Sequence, residues 1–123
     1  MMKFRSLKHN DEFLKILKKK KLSTKYFTIY FDKNLNNVKK NINKYLNISF
    51  VMKKKNGNAV VRNKIKRKLR AAVQKISKED RLINLNYTYI IFGKNNVYKD
   101  KFALILDDVN KTFNKIKQMD IKS

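Results

Sequence analysis

The sequence contains no cysteine and no proline, only two glycines, and a single histidine among 123 residues. The lack of cysteine excludes both a disulfide framework and a thiolate zinc site, which suits a reducing compartment. No apolar run approaches the ~20 residues that a membrane-spanning helix requires, and the amino-terminal segment lacks the apolar stretch of a signal peptide. We therefore expect a cytoplasmic protein with no membrane partner.

Negative charge is also scarce. The chain has 9 Asp and Glu residues against 32 Lys and Arg residues, which gives a formal net charge of +23. Such a surface repels itself unless a polyanion neutralises it, so nucleic acid is the expected partner. The alternatives are a merely soluble basic protein and a membrane-surface binder. An apolar content of 42% favours a folded core over a basic tail, and the length suits a single domain over residues 1–123.

The few acidic residues argue against catalysis by the chain itself. A nuclease that acts alone needs a general base or a carboxylate cluster that holds metal ions. The acids here are mostly single or stand at predicted helix starts, and Asp107 and Asp108 would point about 100° apart on a helix. We predict no catalytic residue, no metal site and no cofactor bound by the protein.

Hydrophobic periodicity predicts an α+β fold, a single-domain sandwich of helices against one mixed sheet. The order is helix, strands, helix, strand, helix, an αβββαβα-like arrangement. The second long helix connects two strands that can lie parallel. The predicted helices span about 10–20, 59–76 and 99–118, and the predicted strands span 26–31, 45–53 and 87–92, with a short strand or a turn between 32 and 44.

The helix predicted for 59–76 concentrates the arginines. Three of the chain's five arginines fall within positions 62 to 70, where an even spread would place fewer than one. On a helical wheel, one side is apolar and would pack on the sheet, and Lys64, Lys68 and Lys75 lie on the back. The remaining side presents cations and one amide: Arg62, Asn63, Lys66, Arg67 and Arg70.

This mixed face is predicted to bind RNA. A guanidinium group is a planar fork that can hold a phosphate or a base edge with two hydrogen bonds. No acid occurs from Lys33 through Lys78, so these cations lack the partners four residues away that an ordinary surface helix carries. The alternative is a solvated helix face that is basic only because the whole protein is basic.

The segment from Gly57 to Arg70, with the sequence GNAVVRNKIKRKLR, follows a predicted strand that ends in a Lys pair. It closely resembles the signature of the bacterial ribonuclease P protein subunit. A looser resemblance extends over about 6–118. The chain departs from the usual pattern at Lys64, where a third Arg is common, and at Asn47, Ser49 and Lys53.

The resemblance implies a left-handed β-α-β crossover and a division of labour between protein and RNA. In that family the RNA subunit, with Mg²⁺, removes the 5′ leader of precursor tRNA by endonucleolytic hydrolysis. The resemblance implies that this chain has two partners, ribonuclease P RNA and precursor tRNA. No feature of the sequence indicates an obligate protein partner. By the resemblance, the residues that contact the catalytic RNA are Arg62, Asn63, Lys64, Lys66, Arg67 and Arg70.

The resemblance also implies a cleft for the leader between the first helix and the open face of the sheet. The matching positions are Phe13 and Leu17 on the helix, with Thr28 and Tyr30 on the first predicted strand. The sequence independently supports the last two, which alternate away from the apolar side of that strand. Plain core packing is the alternative for Phe13 and Leu17. A ribosomal or other structural RNA-binding protein is the alternative for the chain as a whole.

Overall fold

The computed structural model describes residues 3–7, 10–33, 45–79 and 83–122. Within these ranges the chain forms five strands, four helices and a short 3-10 turn at Lys54–Asn56. The strands are β1 (Lys3–Arg5), β2 (Lys20–Ser23), β3 (Phe27–Lys33), β4 (Tyr45–Val51) and β5 (Tyr87–Gly93). The helices are α1 (Asn10–Leu17), α2 (Ala59–Glu79), α3 (Asn96–Lys99) and α4 (Phe102–Lys122).

The five strands form one mixed sheet in the order β1-β4-β5-β3-β2. β4 pairs in parallel with both β1 and β5, whereas β3 pairs antiparallel with both β5 and β2. Helix α2 connects β4 to its parallel neighbour β5, so the two strands and the helix form a β-α-β unit. The predicted α+β sandwich with this crossover is confirmed.

One face of the sheet is covered by α2 and α4, and the protein's core lies there. Alternate residues of β3, namely Phe27, Ile29 and Phe31, point into this core and are buried. α2 packs on α4 and on β4 and β5, and the Phe113 ring of α4 contacts the Tyr89 ring of β5. Their contributions to the core are fully or almost fully buried: Ile65, Leu69, Ala72, Val73 and Ile76 from α2, and Ile105, Val109, Phe113 and Ile116 from α4.

The opposite face of the sheet carries α1, which packs over β2, β3 and β5. We call this side the open face. Residues on it alternate with the core residues, so Thr28 and Tyr30 of β3 lie there together with Ile90 and Phe92 of β5, their register partners. The predicted separation of the two sides of β3 therefore holds in the structure.

Several predicted boundaries were wrong. α1 ends at Leu17 rather than near 20, because the next residues close a turn and Lys20–Ser23 pair with β3 as an edge strand. β1 and β2 were not predicted at all. α2 continues to Glu79, and α4 begins at Phe102 instead of 99. The strand or turn predicted for 32–44 lies outside the described residues from position 34 onward.

The two glycines fix how α2 meets the sheet. Gly57 has a φ of +124°, a conformation that other residues adopt only with strain, and the chain turns there into α2. Asn58 caps the helix, because its Oδ1 accepts a hydrogen bond from the Val61 N–H at 3.0 Å. At Gly93 a Cβ atom would stand 2.8 Å from Ile65 Cγ2. α2 thus packs directly against the carboxyl end of β5.

Candidate RNA-binding surfaces

The Arg-rich face of α2 points away from the sheet. Lys66 and Arg67 are exposed, and within the described part of the chain no hydrogen bond or ion pair engages either side chain. Asn63 is also exposed, whereas Arg62 is half-buried. Arg70 is exposed but places its guanidinium carbon 4.9 Å from the ring centroid of Phe4 on β1. The structure therefore brings these five predicted residues onto one side of one helix, with charge that no described acid neutralises.

Two of the three lysines at the back of α2, Lys64 and Lys68, face the short helix α3 instead. Lys64 Nζ lies 4.9 Å from the ring centroid of Tyr98. Lys68 Nζ donates hydrogen bonds to the carbonyl oxygens of Val97, Tyr98 and Asp100 at 2.9, 3.2 and 2.9 Å. A cation at these carbonyls satisfies acceptors that the end of a helix leaves free. Lys68 thus holds α3 against α2, a role that the sequence did not reveal.

Replacing Lys68 with Met is expected to lower the free energy of unfolding by about 1–2 kcal/mol, since hydrogen bonds from a charged donor contribute about this much. Lys66→Met removes the same charge from an exposed position of the same helix and should change stability by less than about 0.5 kcal/mol. Urea denaturation of both variants measures the difference. Equal stability of the two variants would show that the Lys68 contacts do not hold α3.

A second link ties the start of β3 to the loop before α4. Asp100 Oδ2 accepts a 2.5 Å hydrogen bond from the Tyr26 hydroxyl and lies 3.5 Å from Lys25 Nζ. The hydrogen bond to Asp100, followed by burial, raises the pKa of Tyr26 to about 12. The same hydrogen bond, helped by the charge of Lys25, lowers the pKa of Asp100 below its ordinary 3.8. Both shifts favour the pair in which Asp100 is charged and Tyr26 is neutral.

This pair predicts how stability depends on pH. Because the pKa of Asp100 is lowered, the contribution of Asp100 to the free energy of unfolding is present above pH 3.8. This contribution is lost as the pH falls through the lower pKa of the folded state. Because the pKa of Tyr26 is raised, the contribution of Tyr26 to the free energy of unfolding is present below pH 10 and is lost as the pH rises to about 12. Urea unfolding across both ranges should show that Asp100→Asn flattens the acid dependence. An unchanged acid dependence in that variant would contradict the assignment.

On the open face, three aromatic rings meet between α1 and the sheet. The Phe92 ring centroid lies 5.6 Å from that of Tyr30 and 6.4 Å from that of Phe13, both in edge-on arrangements. We call Phe13, Tyr30 and Phe92 the aromatic cluster. All three side chains are half-buried, so each presents part of its ring to solvent. Two lysines stand over these rings: Lys21 Nζ lies 6.0 Å from the Tyr30 centroid and Lys53 Nζ lies 5.5 Å from the Phe92 centroid.

The four residues predicted to line the cleft all lie on α1 or on the open side of β3. Leu17 on α1 and Thr28 on β3 are half-buried like Phe13 and Tyr30. Thr28 Oγ1 is 3.1 Å from Ser23 Oγ, within hydrogen-bond distance. Phe92 was missed as a cleft residue because strand 87–92 is almost continuously apolar, so its sequence does not distinguish the core side from the open face. Its position opposite Thr28 in the antiparallel pair is what brings it into the cleft.

Two other features bear on function. Among the described residues, no group of three or more His, Cys, Asp or Glu side chains could hold a metal ion. In the same part of the chain, no helix is long and apolar enough to cross a membrane.

Comparison with known proteins decides the family. Residues 1–117 match the family described as Ribonuclease P. The chain belongs to the ribonuclease P protein family. It is 34% identical to the ribonuclease P protein component of Mycoplasma mycoides, over 92% of this chain and 96% of that protein. It is 29% identical to the component of Carboxydothermus hydrogenoformans, over 89% and 88% of the two chains.

Solved structures of the family share the fold. The ribonuclease P protein from Thermotoga maritima superposes with a TM-score of 0.69 at 22% identity, covering 90% of this chain and 96% of that one. The protein from Staphylococcus aureus gives a TM-score of 0.60 at 27% identity, covering 91% and 87%. The family predicted from the segment Gly57 to Arg70 is confirmed. As a ribonuclease P protein component, the chain serves tRNA 5′ processing in a ribonucleoprotein endoribonuclease whose catalysis resides in the RNA.

Proposed function

We propose that this chain binds the catalytic RNA of ribonuclease P with the basic face of α2 and holds the 5′ leader of precursor tRNA on the open face of the sheet. The observation that carries the proposal is the placement of the two surfaces. α2 covers one side of the sheet, and the aromatic cluster lies on the other side beneath α1. Two RNA molecules can therefore be contacted at the same time.

The contact with the catalytic RNA rests on the side chains of α2 that point to solvent. Lys66 and Arg67 are exposed, and Arg70 extends the row toward β1, where Phe4 supports its guanidinium group. Asn63 and the half-buried Arg62 complete the face, with Lys64 at its border beside Tyr98. Cations in a row on one helix suit the phosphates and 2′-hydroxyls of one RNA strand.

The contact with the leader rests on the aromatic cluster. Partly exposed rings give unpaired bases a surface for stacking, which is worth ~1–3 kcal/mol per base and tolerates any sequence. Lys21 and Lys53 stand over the rings, where they can neutralise the phosphates of a bound strand. Thr28, the register partner of Phe92, adds a polar side chain beside the rings. Leu17, one helical turn after Phe13, adds an apolar one. A leader of variable sequence needs this kind of tolerant binding.

The remaining partners follow from this division. Mg²⁺ acts with the RNA subunit, and the protein binds no cofactor of its own. Precursor tRNA and ribonuclease P RNA are the two ligands, and the protein needs no further protein subunit to bind them. The cytoplasm, where precursor tRNA is processed in bacteria, is the proposed location.

Direct binding tests the choice of RNA. The purified chain is titrated with a transcribed bacterial-type ribonuclease P RNA and with ribosomal RNA of equal length at several salt concentrations. We expect tighter binding to ribonuclease P RNA at every salt concentration. Phosphate contacts alone would bind both RNAs equally, so a preference shows that the protein also recognises the shape or the bases of ribonuclease P RNA. Preference for ribosomal RNA would contradict the proposal and favour a structural protein of the ribosome.

A further inference from the structure

A further aromatic residue, outside the aromatic cluster, stands on the open face. Tyr45 is the first residue of β4 and remains 42% exposed. The guanidinium carbon of Arg5 on β1 lies 5.8 Å from its ring centroid. Lys3 is the register partner of Tyr45 in the same strand pair. A largely exposed ring flanked by two cations repeats, on a smaller scale, the chemistry of the aromatic cluster.

The strand register places Tyr45 and the aromatic cluster on the same side of the sheet. Val51 pairs with Phe92 and Asn47 pairs with Thr88, and both pairs lie on the open face. Tyr45 is two residues from Asn47, so its side chain points to the same face. Arg5 pairs with Asn47 and shares that face as well. Tyr45 and the aromatic cluster therefore lie on the same face of one continuous sheet.

The two sites lie at opposite corners of this face. Through Ile90, Tyr30 is in register with Ser49, which lies two strands away and four residues beyond Tyr45. Standard strand spacings then put Tyr45 roughly 16 Å from Tyr30. At the ~3.4 Å rise of stacked nucleotides, this distance corresponds to at most about five nucleotides. One base cannot touch both sites, but one strand of RNA can.

We propose that Tyr45 and Arg5 form a second subsite for single-stranded RNA, which receives leader nucleotides beyond those held at the aromatic cluster. The proposal rests on the proposed function of the cluster as the leader site. Tyr45 supplies a stacking surface, and Arg5 supplies a planar cation that supports the ring and meets the phosphate of the stacked nucleotide.

The order of the two subsites along the leader follows from the position of α2. The amino end of α2 lies at the end of the sheet where β4 and β5 finish, since Asn56 Nδ2 donates to the Gly93 carbonyl at 2.8 Å just before the helix begins. Phe92 lies at this same end, and Tyr45 lies at the other. The cluster is therefore nearer to Arg62 and Asn63 in the first turn of α2, whereas Arg70 reaches β1 at Phe4. On this basis the first leader nucleotides are assigned to the cluster and later ones to Tyr45.

Charge on the open face favours the same path. Asp32 is the only acidic residue in the five described strands, and it alternates onto the open face from β3, beside Thr88. Its carboxylate disfavours a phosphate backbone that continues straight down β3. Lys3 and Arg5 attract the backbone at the opposite edge. A strand that leaves the aromatic cluster is therefore directed across β4 toward Tyr45.

The test uses precursor tRNAs whose leaders lengthen by single nucleotides, bound to the holoenzyme reconstituted with each variant. Tyr45→Ala is expected to leave affinity for the shortest leaders unchanged and to weaken affinity for long leaders about five- to 150-fold, as the loss of one stacked base predicts. Arg5→Ala should show the same dependence on length. Tyr45→Phe, which keeps the stacking surface, should bind like the unchanged protein.

Tyr98→Ala is the matched control, because Tyr98 is 36% exposed and also carries a lysine over its ring, but on α3. That lysine, Lys64, borders the surface proposed for the catalytic RNA, so any effect of Tyr98→Ala should be the same at every leader length. The subsite is overturned if Tyr45→Ala has no effect at any leader length, has the same effect at every length, or behaves like Tyr98→Ala. Tyr30→Ala separates this failure from failure of the leader site itself. If Tyr30→Ala weakens binding while Tyr45→Ala does not, only the second subsite is wrong; if neither does, both proposals are wrong.

Discussion

Tyr30→Ala is expected to weaken binding of precursor tRNA relative to mature tRNA by about five- to 150-fold, the loss of ~1–3 kcal/mol that removal of one stacking surface entails. Tyr30 contributes the ring that joins β3 to Phe92, with a centroid distance of 5.6 Å, and it is covered by the cation of Lys21. Mature tRNA has no leader, so its affinity should not change. Affinity of the variant for the catalytic RNA should also stay the same.

Two controls make this result specific. Tyr30→Phe keeps the ring and removes only the hydroxyl, so it should retain most of the preference for precursor tRNA. Thermal unfolding of Tyr30→Ala without RNA shows whether loss of the Phe92 contact disturbs the fold. An equal loss of affinity for precursor tRNA and for the catalytic RNA would contradict the separation of the two surfaces.

Replacement of both Lys66 and Arg67 with Ala should reduce assembly with the catalytic RNA. It should also lower the slope of log affinity against log salt by roughly two units, because each lost phosphate contact removes roughly one. These side chains are exposed on α2 and have no described internal contact, so stability should change by less than about 0.5 kcal/mol for each. Arg67→Ala alone should lower the slope by roughly one unit. Filter binding at a series of salt concentrations measures both variants.

The matched control removes two charges elsewhere. Lys115 and Lys117 are exposed on α4, and replacing both with Ala leaves the same net charge as the first double variant. If attraction depended only on total charge, the two double variants would show the same slope. Identical slopes would therefore mean that Lys66 and Arg67 contact no phosphate of the catalytic RNA.

Much of this molecule follows from local sequence patterns. Alternation in Phe27 to Phe31 predicted which side of β3 is buried, and the 3.6-residue period predicted which sides of the second and last helices face the sheet. The Arg-rich face of α2 was equally visible in the sequence. In each case the residue's neighbours along the chain determine its environment, which is why the pattern suffices.

Most of what was missed depends on partners that are distant in sequence. β1 is three residues long and pairs with the remote strand β4. β2 is four residues long and pairs with its neighbour β3, but its lysine-rich sequence does not show a strand pattern. Phe92 joins the aromatic cluster through its register with Thr28. Lys68 looks like any other lysine of the motif until the carbonyls at the end of α3 are placed beside it. The roles of the RNA-contacting side chains stay predictions.

Reconstitution tests whether this chain acts as the protein subunit of ribonuclease P. The chain is combined with a transcribed bacterial-type ribonuclease P RNA, and removal of the leader from precursor tRNA is followed at low magnesium concentration with and without protein. We expect the protein to accelerate cleavage by the RNA, to lower the magnesium concentration that cleavage requires, and to cleave nothing when the RNA is left out. Absence of stimulation, or cleavage by the protein without RNA, would contradict the account.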